Sequence, residues 1–358
     1  MKAAVLGAGN VGTALAADMA LRGHDVALIK TSSGTREEHF SSLCGSGVVS
    51  LSENGAVRRA LIPCVTRELG AVRGREVVIV CTRTDFHEAL IRRIAPFLSA
   101  GQILLFVPGY LSTAYVLRHV NADVICAEAQ SSFIDCRIAR PGEIRVGFRN
   151  VRNPIGVFPQ NRAEEAAALL DRLGFPFTYC GSVAEAALHN PNMIVHPVGA
   201  LMSLPRMEKT RGDYCMYHEV FTPSVWRMLE ALDGEKTAIL AALGLPPLSY
   251  VDACKFRNSL DDTADGKAVF FAYAAMPTRA KGPLTAEDRY ITEDVPQGLV
   301  LLESLGRHLG VATPVCTALI ELASAALGRD LRQNGRTLSR LGAENVEKIR
   351  RDQTGGVK

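Results

Sequence analysis

Three side chains in the second half of the sequence are of types that could move a proton and hold an anion: His196, Asp294 and Arg289. His196 lies in Ala187-Leu188-His189-Asn190-Pro191-Asn192-Met193-Ile194-Val195-His196-Pro197. Asn190 suits an N-cap and Pro191 the first turn of a helix. Asn192 and His196 are four apart and share one helical face. Pro197 should bend or end the segment. Imidazole gains and loses a proton near neutral pH, so a histidine on such a polar face is a candidate acid–base. The plainer reading, a core histidine with its hydrogen bonds satisfied, is kept for His189 and for His24, His39, His87, His119, His218 and His308.

The second stretch runs Asp288-Arg289-Tyr290-Ile291-Thr292-Glu293-Asp294-Val295-Pro296-Gln297-Gly298. Thr292 can cap a helix here, with Glu293 and Asp294 favoured near its positive end. The alternative pairs Asp294 with His196, fixing the tautomer and raising the ring's basicity. Arg289 would then be a fixed cation for a carboxylate or phosphate, held by its planar fork.

These groups need a scaffold and a reagent, and the first thirty residues suggest both. Lys2–Leu6 reads as a buried strand, Gly7-Ala8-Gly9-Asn10-Val11-Gly12 as a tight turn, Thr13–Arg22 as a helix and Val26–Ile29 as a second strand. This is G-x-G-x-x-G between strand and helix, the dinucleotide-binding context. Gly7 permits the turn, Gly9 lets backbone approach a pyrophosphate, and Gly12 lets helix pack on strand. The helix N-terminus offers free N–H groups to phosphate. The second strand would end on an acid if the ribose carried a free 2′-hydroxyl. Here it ends on Lys30, followed by Thr31, Ser32, Ser33 and Arg36. A cation and hydroxyls suit a 2′-phosphate, which favours NADP over NAD; Glu37 or Glu38 is the alternative ribose contact. Thr82 and the pair Pro108-Gly109 follow later strands, where ligands of open parallel sheets sit. For Pro108-Gly109 a plain turn is the equal alternative.

The chain has 358 residues, 47% of them hydrophobic, enough for two domains with sizeable cores. A net charge of +3 with scattered basic residues argues against a nucleic-acid or anionic-membrane partner. Nine cysteines without a C-x-x-C read as reduced thiols in a cytoplasmic protein, with no metal knuckle. The apolar N-terminus is too short to span a bilayer, and its glycines do not suit a signal peptide.

Strands at 76–81, 103–107 and 124–127 alternate with helices at 85–98 and 110–119, which implies a Rossmann-type, doubly wound parallel sheet. Short strands at 48–51 and 57–65 suggest a hairpin beside it. Residues 138–158 read as antiparallel hairpins closing the sheet, 162–173 as helix and 175–180 as a last strand. Beyond 181 the periodicity is helical, at 223–243, 294–310 and 314–327. The expected class is α/β with an all-helical C-terminal domain: residues 1–180 bind the dinucleotide, 181–345 form the helical substrate and catalytic domain, and 346–358 are a flexible tail.

With these motifs on the page the sequence resembles the opine dehydrogenase family (octopine, nopaline and carboxyethyl-norvaline dehydrogenases). The resemblance spans nearly the whole chain. It includes the N-terminal glycines, Pro108-Gly109, Ala127-Glu128, Asn190-Pro191, His196-Pro197 and, most specifically, Arg289-Tyr290 with Glu293-Asp294-Val295-Pro296. It implies NAD(P)H-dependent reductive condensation of an amino acid's amine with a 2-oxo acid such as pyruvate, through an imine. His196 would be the acid–base, Asp294 its partner and Arg289 the family's arginine; Lys30 departs from the acid of NAD-using members. The implied partners are the two small-molecule substrates, with a homodimer as the assembly considered. Arg206, Lys209, Arg211, Arg279 and Lys281 are candidate carboxylate ligands, although a solvated surface charge is the plainer reading of each. The competing readings are a ketopantoate or glycerol-3-phosphate type of reductase, for which Lys255 with Asn258 is the nearest catalytic pair, and a non-catalytic NADP(H)-binding sensor.

Overall fold

The computed structural model describes residues 1–279 and 281–352. It contains twelve strands: β1 (Lys2–Leu6), β2 (Asp25–Ile29), β3 (Val48–Glu53), β4 (Ala56–Leu61), β5 (Cys64–Thr66), β6 (Val77–Val80), β7 (Ile103–Phe106), β8 (Ile125–Ala129), β9 (Ile134–Arg140), β10 (Glu143–Arg149), β11 (Asn153–Phe158) and β12 (Phe177–Tyr179). Two compact units divide the described residues, Met1–Ala186 with Arg351 and Asp352, and Ala187–Arg350. Among the described residues no helix is long and apolar enough to cross a membrane.

The first unit is built on an eight-stranded sheet of order β12-β11-β8-β7-β6-β1-β2-β5. Only β11 against β8 is antiparallel. Ala3–Leu6, Val77–Val80 and Ile103–Phe106 are completely buried. Such uninterrupted apolar runs belong to central parallel strands covered on both faces. The covering helices are α1 (Asn10–Leu21), α2 (Glu37–Ser46), α3 (His87–Ile94), α4 (Thr113–His119) and α5 (Ala163–Leu170).

One expectation fails here. Residues 138–149 do not close the main sheet. They form, with the 48–61 hairpin, a second four-stranded sheet of order β4-β3-β10-β9. The reason is α1, which is covered on every side: Gly12–Met19 are all buried, and only Thr13 and Asp18 among them are polar. One face packs on the parallel sheet, and the other shares a core with Val49, Leu51, Ala60, Ile134, Ile144 and Val146 of the second sheet. Arg149 fastens the arrangement, reaching Asp18 of α1 at 2.5 Å and Glu53 of β3 at 2.6 Å.

The loop after β7 is held by Glu128 at the end of β8. This fully buried carboxylate accepts from the Leu111 N–H (2.8 Å), the Thr113 N–H (2.7 Å) and the Thr113 hydroxyl (2.7 Å). The expected helix at 110–119 therefore starts late, because Tyr110 and Leu111 adopt φ of +51° and +64° to reach that carboxylate.

The second unit is helical. Its elements are the end of α6 (Val183–Leu188), α7 (Asn192–Met202), α8 (Leu204–Thr210), α9 (Met216–Glu219), α10 (Pro223–Ala242), α11 (Tyr250–Asn258), α12 (Gly266–Ala274), α13 (Arg289–Thr292), a π-helical turn (Val295–Leu299), α14 (Val300–Leu309), α15 (Pro314–Leu327), α16 (Leu338–Leu341) and α17 (Ala343–Arg351). Apolar residues Met193–Val195 and Val198–Leu201 bury α7 on most of its surface. The tail expected from 346 is instead helix to Arg351, because Ile349 and Asn345 give α17 a buried side. Residues 353–358 lie outside the described set.

Replacing Glu128 with Gln turns one acceptor into a donor that faces N–H and O–H groups. The expected outcome is a loss of about 2 kcal/mol in unfolding free energy, measured by urea denaturation, with the fold retained.

Candidate active site

In the first unit the dinucleotide turn has the geometry its glycines require. Gly7 has φ +115°, and a Cβ there would lie 2.9 Å from the Cys81 carbonyl oxygen. A Cβ on Gly12 would lie 1.9 Å from the Gly7 carbonyl oxygen. A Cβ on Gly9 would meet nothing within 4 Å, so the glycine there opens space above the N-terminus of α1. No side chain caps that terminus and no acid sits in its first turn. Val11, half-buried, lies within this first turn. Asn10 points elsewhere: its side-chain oxygen accepts the Ile138 N–H at 3.0 Å, so it joins α1 to β9. At the next strand end the Thr82 hydroxyl is buried without a hydrogen-bond partner. An uncapped helix end, an open cradle and an orphaned hydroxyl fit a dinucleotide.

The loops at Thr82 and Pro108-Gly109 are tied together by His87. Its Nε2 lies 3.3 Å from the Thr82 carbonyl and its Nδ1 2.7 Å from the Ser112 hydroxyl, which donates to the Gly109 carbonyl at 2.6 Å. Gly109 is required for a reason the sequence did not suggest. A Cβ there would sit 1.9 Å from the Glu128 carboxylate, so the close approach at this glycine is made by the protein itself.

Lys30 is not displayed as expected. It is 4% exposed, and its ammonium donates to the Thr35 carbonyl, lies 3.5 Å from the Ser32 hydroxyl and 3.7 Å from Glu37. Glu37, the alternative ribose contact, is drawn to Arg67 and accepts the Gly34 N–H at 2.9 Å. Lys30 and Glu37 thus shape the loop from within, while Ser33 and Arg36 remain exposed on it. Partial desolvation and the nearby charge of Arg137 both lower the Arg36 pKa.

In the second unit His196 and Asp294, 98 residues apart, come together. His196 Nδ1 lies 2.8 Å from Asp294 Oδ2, with side chains 6% and 4% exposed. Helix α7 presents the ring. Asn190 caps it, its side-chain oxygen accepting the Asn192 N–H at 3.0 Å. Pro197 does not end the helix, which continues to Met202. Asp294 stands immediately before the π-turn. That turn is backed by buried Arg336, whose N–H donates to the Pro296 carbonyl (2.8 Å) and whose Nε donates to Gln297 (3.1 Å). Nothing local in the sequence marks Arg336 for this.

Thr292 does not cap the helix that follows it: it ends α13, its hydroxyl donates back to the Asp288 carbonyl at 3.2 Å, and no side chain caps the π-turn after Asp294. The cap of α13 itself is Asp288, which accepts the Tyr290 N–H at 3.1 Å. Arg289 is half-exposed and lies 3.7 Å from Glu293. Tyr290, quoted above only as part of a motif, stacks on His196 with ring centroids 3.6 Å apart and planes 8° from parallel. Of the candidate carboxylate ligands, Arg206 pairs with Glu219 at 2.9 Å and Lys281 with Asp213. Arg279 is no solvated charge: it lies between the rings of Tyr217 (4.1 Å) and Tyr273 (4.2 Å). Lys255 is engaged by the Asp262 carbonyl and Asp252. Among the described residues no cluster of three or more His, Cys, Asp or Glu could hold a metal ion.

Burial lowers the His196 pKa, and Asp294, which raises it, offsets this only in part. The ring should titrate below the ordinary value of about 6.5, and Asp294→Asn should take it lower still; NMR of the imidazole across pH checks both. Since folding disfavours this proton, the group makes stability fall as pH drops below the unfolded value.

Comparison with known proteins follows the same division. A family model described as "NAD/NADP octopine/nopaline dehydrogenase, alpha-helical domain" matches residues 179–327. One described as "Ketopantoate reductase PanE/ApbA" matches residues 3–146. An opine dehydrogenase of Arthrobacter sp. (strain 1C) is 29% identical over 352 residues, covering 96% of this chain and 95% of its own. A vitopine synthase of Allorhizobium ampelinum is 26% identical, covering 97% and 98%. Octopine dehydrogenase solved with NADH and L-arginine has the same fold, at a TM-score of 0.76 and 17% identity over 100% of both chains. So does yersinopine dehydrogenase solved with NADP+, at 0.73 and 17% over 99% of each. Along nearly its whole length the chain is similar to opine dehydrogenases, and its helical unit matches the octopine/nopaline dehydrogenase helical domain.

Proposed function

We propose that this chain catalyses the NAD(P)H-dependent reductive condensation of an amino acid's amine with a 2-oxo acid, and the reverse oxidation. The observation that carries this reading is the buried His196–Asp294 pair at 2.8 Å, in a chain whose other unit bears a dinucleotide turn. Bound nicotinamide supplies the hydride; the rest falls to side chains. With its pKa lowered, His196 rests neutral at pH 7, Nδ1–H donated to Asp294 and the lone pair on Nε2. An amino acid arrives as an ammonium and must lose a proton before its nitrogen can attack the oxo carbon. Nε2 takes that proton, and Asp294 stabilises the imidazolium formed. The nitrogen attacks and passes one proton to the oxygen, giving the carbinolamine; the proton held by His196 then goes to its hydroxyl, which leaves as water and yields the protonated imine (iminium). One side chain thus serves as base and then acid, ending neutral as it began. Arg289 is placed in the role of a fixed cation for a substrate or cofactor anion.

The expected partners are small molecules, an amino acid and a 2-oxo acid. The nine free thiols support a reducing, cytoplasmic setting. A ketopantoate-type reductase is the second reading, favoured by the family match over residues 3–146. A matrix of amino acids against 2-oxo acids, followed by loss of NADPH or NADH absorbance, separates the two. Turnover that requires the amine supports condensation, and turnover on the oxo acid alone supports the rival. His196→Ala should lose about 10²–10⁴-fold in kcat, with NADPH binding, read by fluorescence, intact. Wild-type turnover in that variant rejects His196 as the acid–base.

For the cofactor, the reading favours NADP. Lys30 is committed to its loop, so the 2′-phosphate falls to Arg36 and Ser33. Arg36→Ala should raise KM for NADPH about tenfold and leave KM for NADH nearly unchanged. Equal effects on both cofactors would remove Arg36 from phosphate recognition.

A further inference from the structure

We propose that Tyr290 is a positioning residue for His196, its ring lying flat on the imidazole so that Nε2 keeps one direction and the protonated ring is stabilised. The hydrogen bond to Asp294 fixes one atom of the imidazole, in the plane of the ring. It leaves the ring free to tilt about that contact. The stacked face of Tyr290, 3.6 Å away and 8° from parallel, blocks motion normal to the plane. Two constraints at right angles define where Nε2 points, and one face of the ring is closed to water. Both come from a single segment of seven residues. Asp288 pins the Tyr290 N–H at 3.1 Å, and Asp294 ends the segment.

The form of the contact is informative. Two neutral aromatic rings favour an offset or edge-on arrangement over direct superposition. A cation over an aromatic face is attracted by the ring's negative quadrupole. Direct superposition therefore suits the imidazolium, the state His196 enters between taking the amine proton and giving it to the departing hydroxyl. The charged groups that act on the ring are Asp294, Arg289 and Asp288. Tyr214, hydrogen-bonded to Ser203 at 2.9 Å, is the titratable neighbour of Tyr290.

The inference rests on the acid–base role given to His196, and the test keeps the two apart. In the full chain the His196 ring is assigned by its loss in His196→Ala and titrated by NMR, a readout that needs no substrate. Tyr290→Phe keeps the ring and should leave the titration midpoint unchanged and kcat within about twofold. Tyr290→Leu removes it. The midpoint should fall by about one pH unit. The acid limb of the amine-oxidation rate should move with it, and kcat should drop about tenfold with KM for NADPH unchanged. Tyr290→Met, of similar volume without an aromatic face, repeats the comparison if Leu does not fold. An unmoved midpoint in the Leu or Met variant overturns the proposal alone. Equal damage from Phe and Leu also overturns it, since the hydroxyl would then be the active part. Normal turnover by His196→Ala would overturn the acid–base reading and, with it, the catalytic purpose given to the stack.

Discussion

The second unit depends on one buried hydrogen bond, His196 to Asp294. Placing a carboxylate and an imidazole where water is excluded is costly unless each meets the other in good geometry. The surrounding structure is organised to secure that meeting. Helix α7 runs through apolar surroundings and carries its histidine past a proline that leaves the Met193 carbonyl without its usual donor. On the other side, a π-turn with a proline of its own follows Asp294 directly, and buried Arg336 supports that turn through main chain and side chain. Irregular helical turns of this kind gather at functional sites, because they aim a side chain where a regular helix would not.

The first unit answers a different demand, a rigid surface for a long anionic cofactor. Its key element is α1, whose N-terminus faces the open cradle above Gly9. The loops around that cradle are linked to one another and not left to solvent. His87 joins the loop at Thr82 to the loop at Gly109, and Glu128 holds the latter through three donors. Neither residue needs to touch a ligand to matter, since each sets the backbone that would.

How much of this could be read beforehand follows from the range of the forces involved. The strand, turn, helix and strand of residues 2–29 are local, and the glycine spacing states them directly. The second sheet is not local. Alternation in 138–149 fits either sheet, and the deciding fact is the all-round burial of α1, which its alanines at 14, 16 and 17 permit but do not by themselves specify. Spacing puts Lys30 at the end of the second strand, but it gives a position and not a partner, and the partner is its own loop. The His196 and Asp294 stretches stood out by composition and by resemblance. Tyr290 shows in the sequence only as a letter of the second stretch's motif, without a role, because a four-residue helix offers no periodicity from which to infer a facing ring. Arg336 and Glu128 act through folding alone and carry no local signature.

The enclosure of α1 between two sheets has a consequence for how this unit ages and varies. A helix packed on one side can shift to accommodate a larger residue, whereas this one is clamped from both, with Arg149 as the rivet to Asp18 and Glu53. Loosening of the smaller sheet by heat or by an inserted bulk would be transmitted along a stiff rod straight to the glycines at its head. Resistance to heat and grip on the nucleotide are therefore one property of this unit, and neither can drift far without the other.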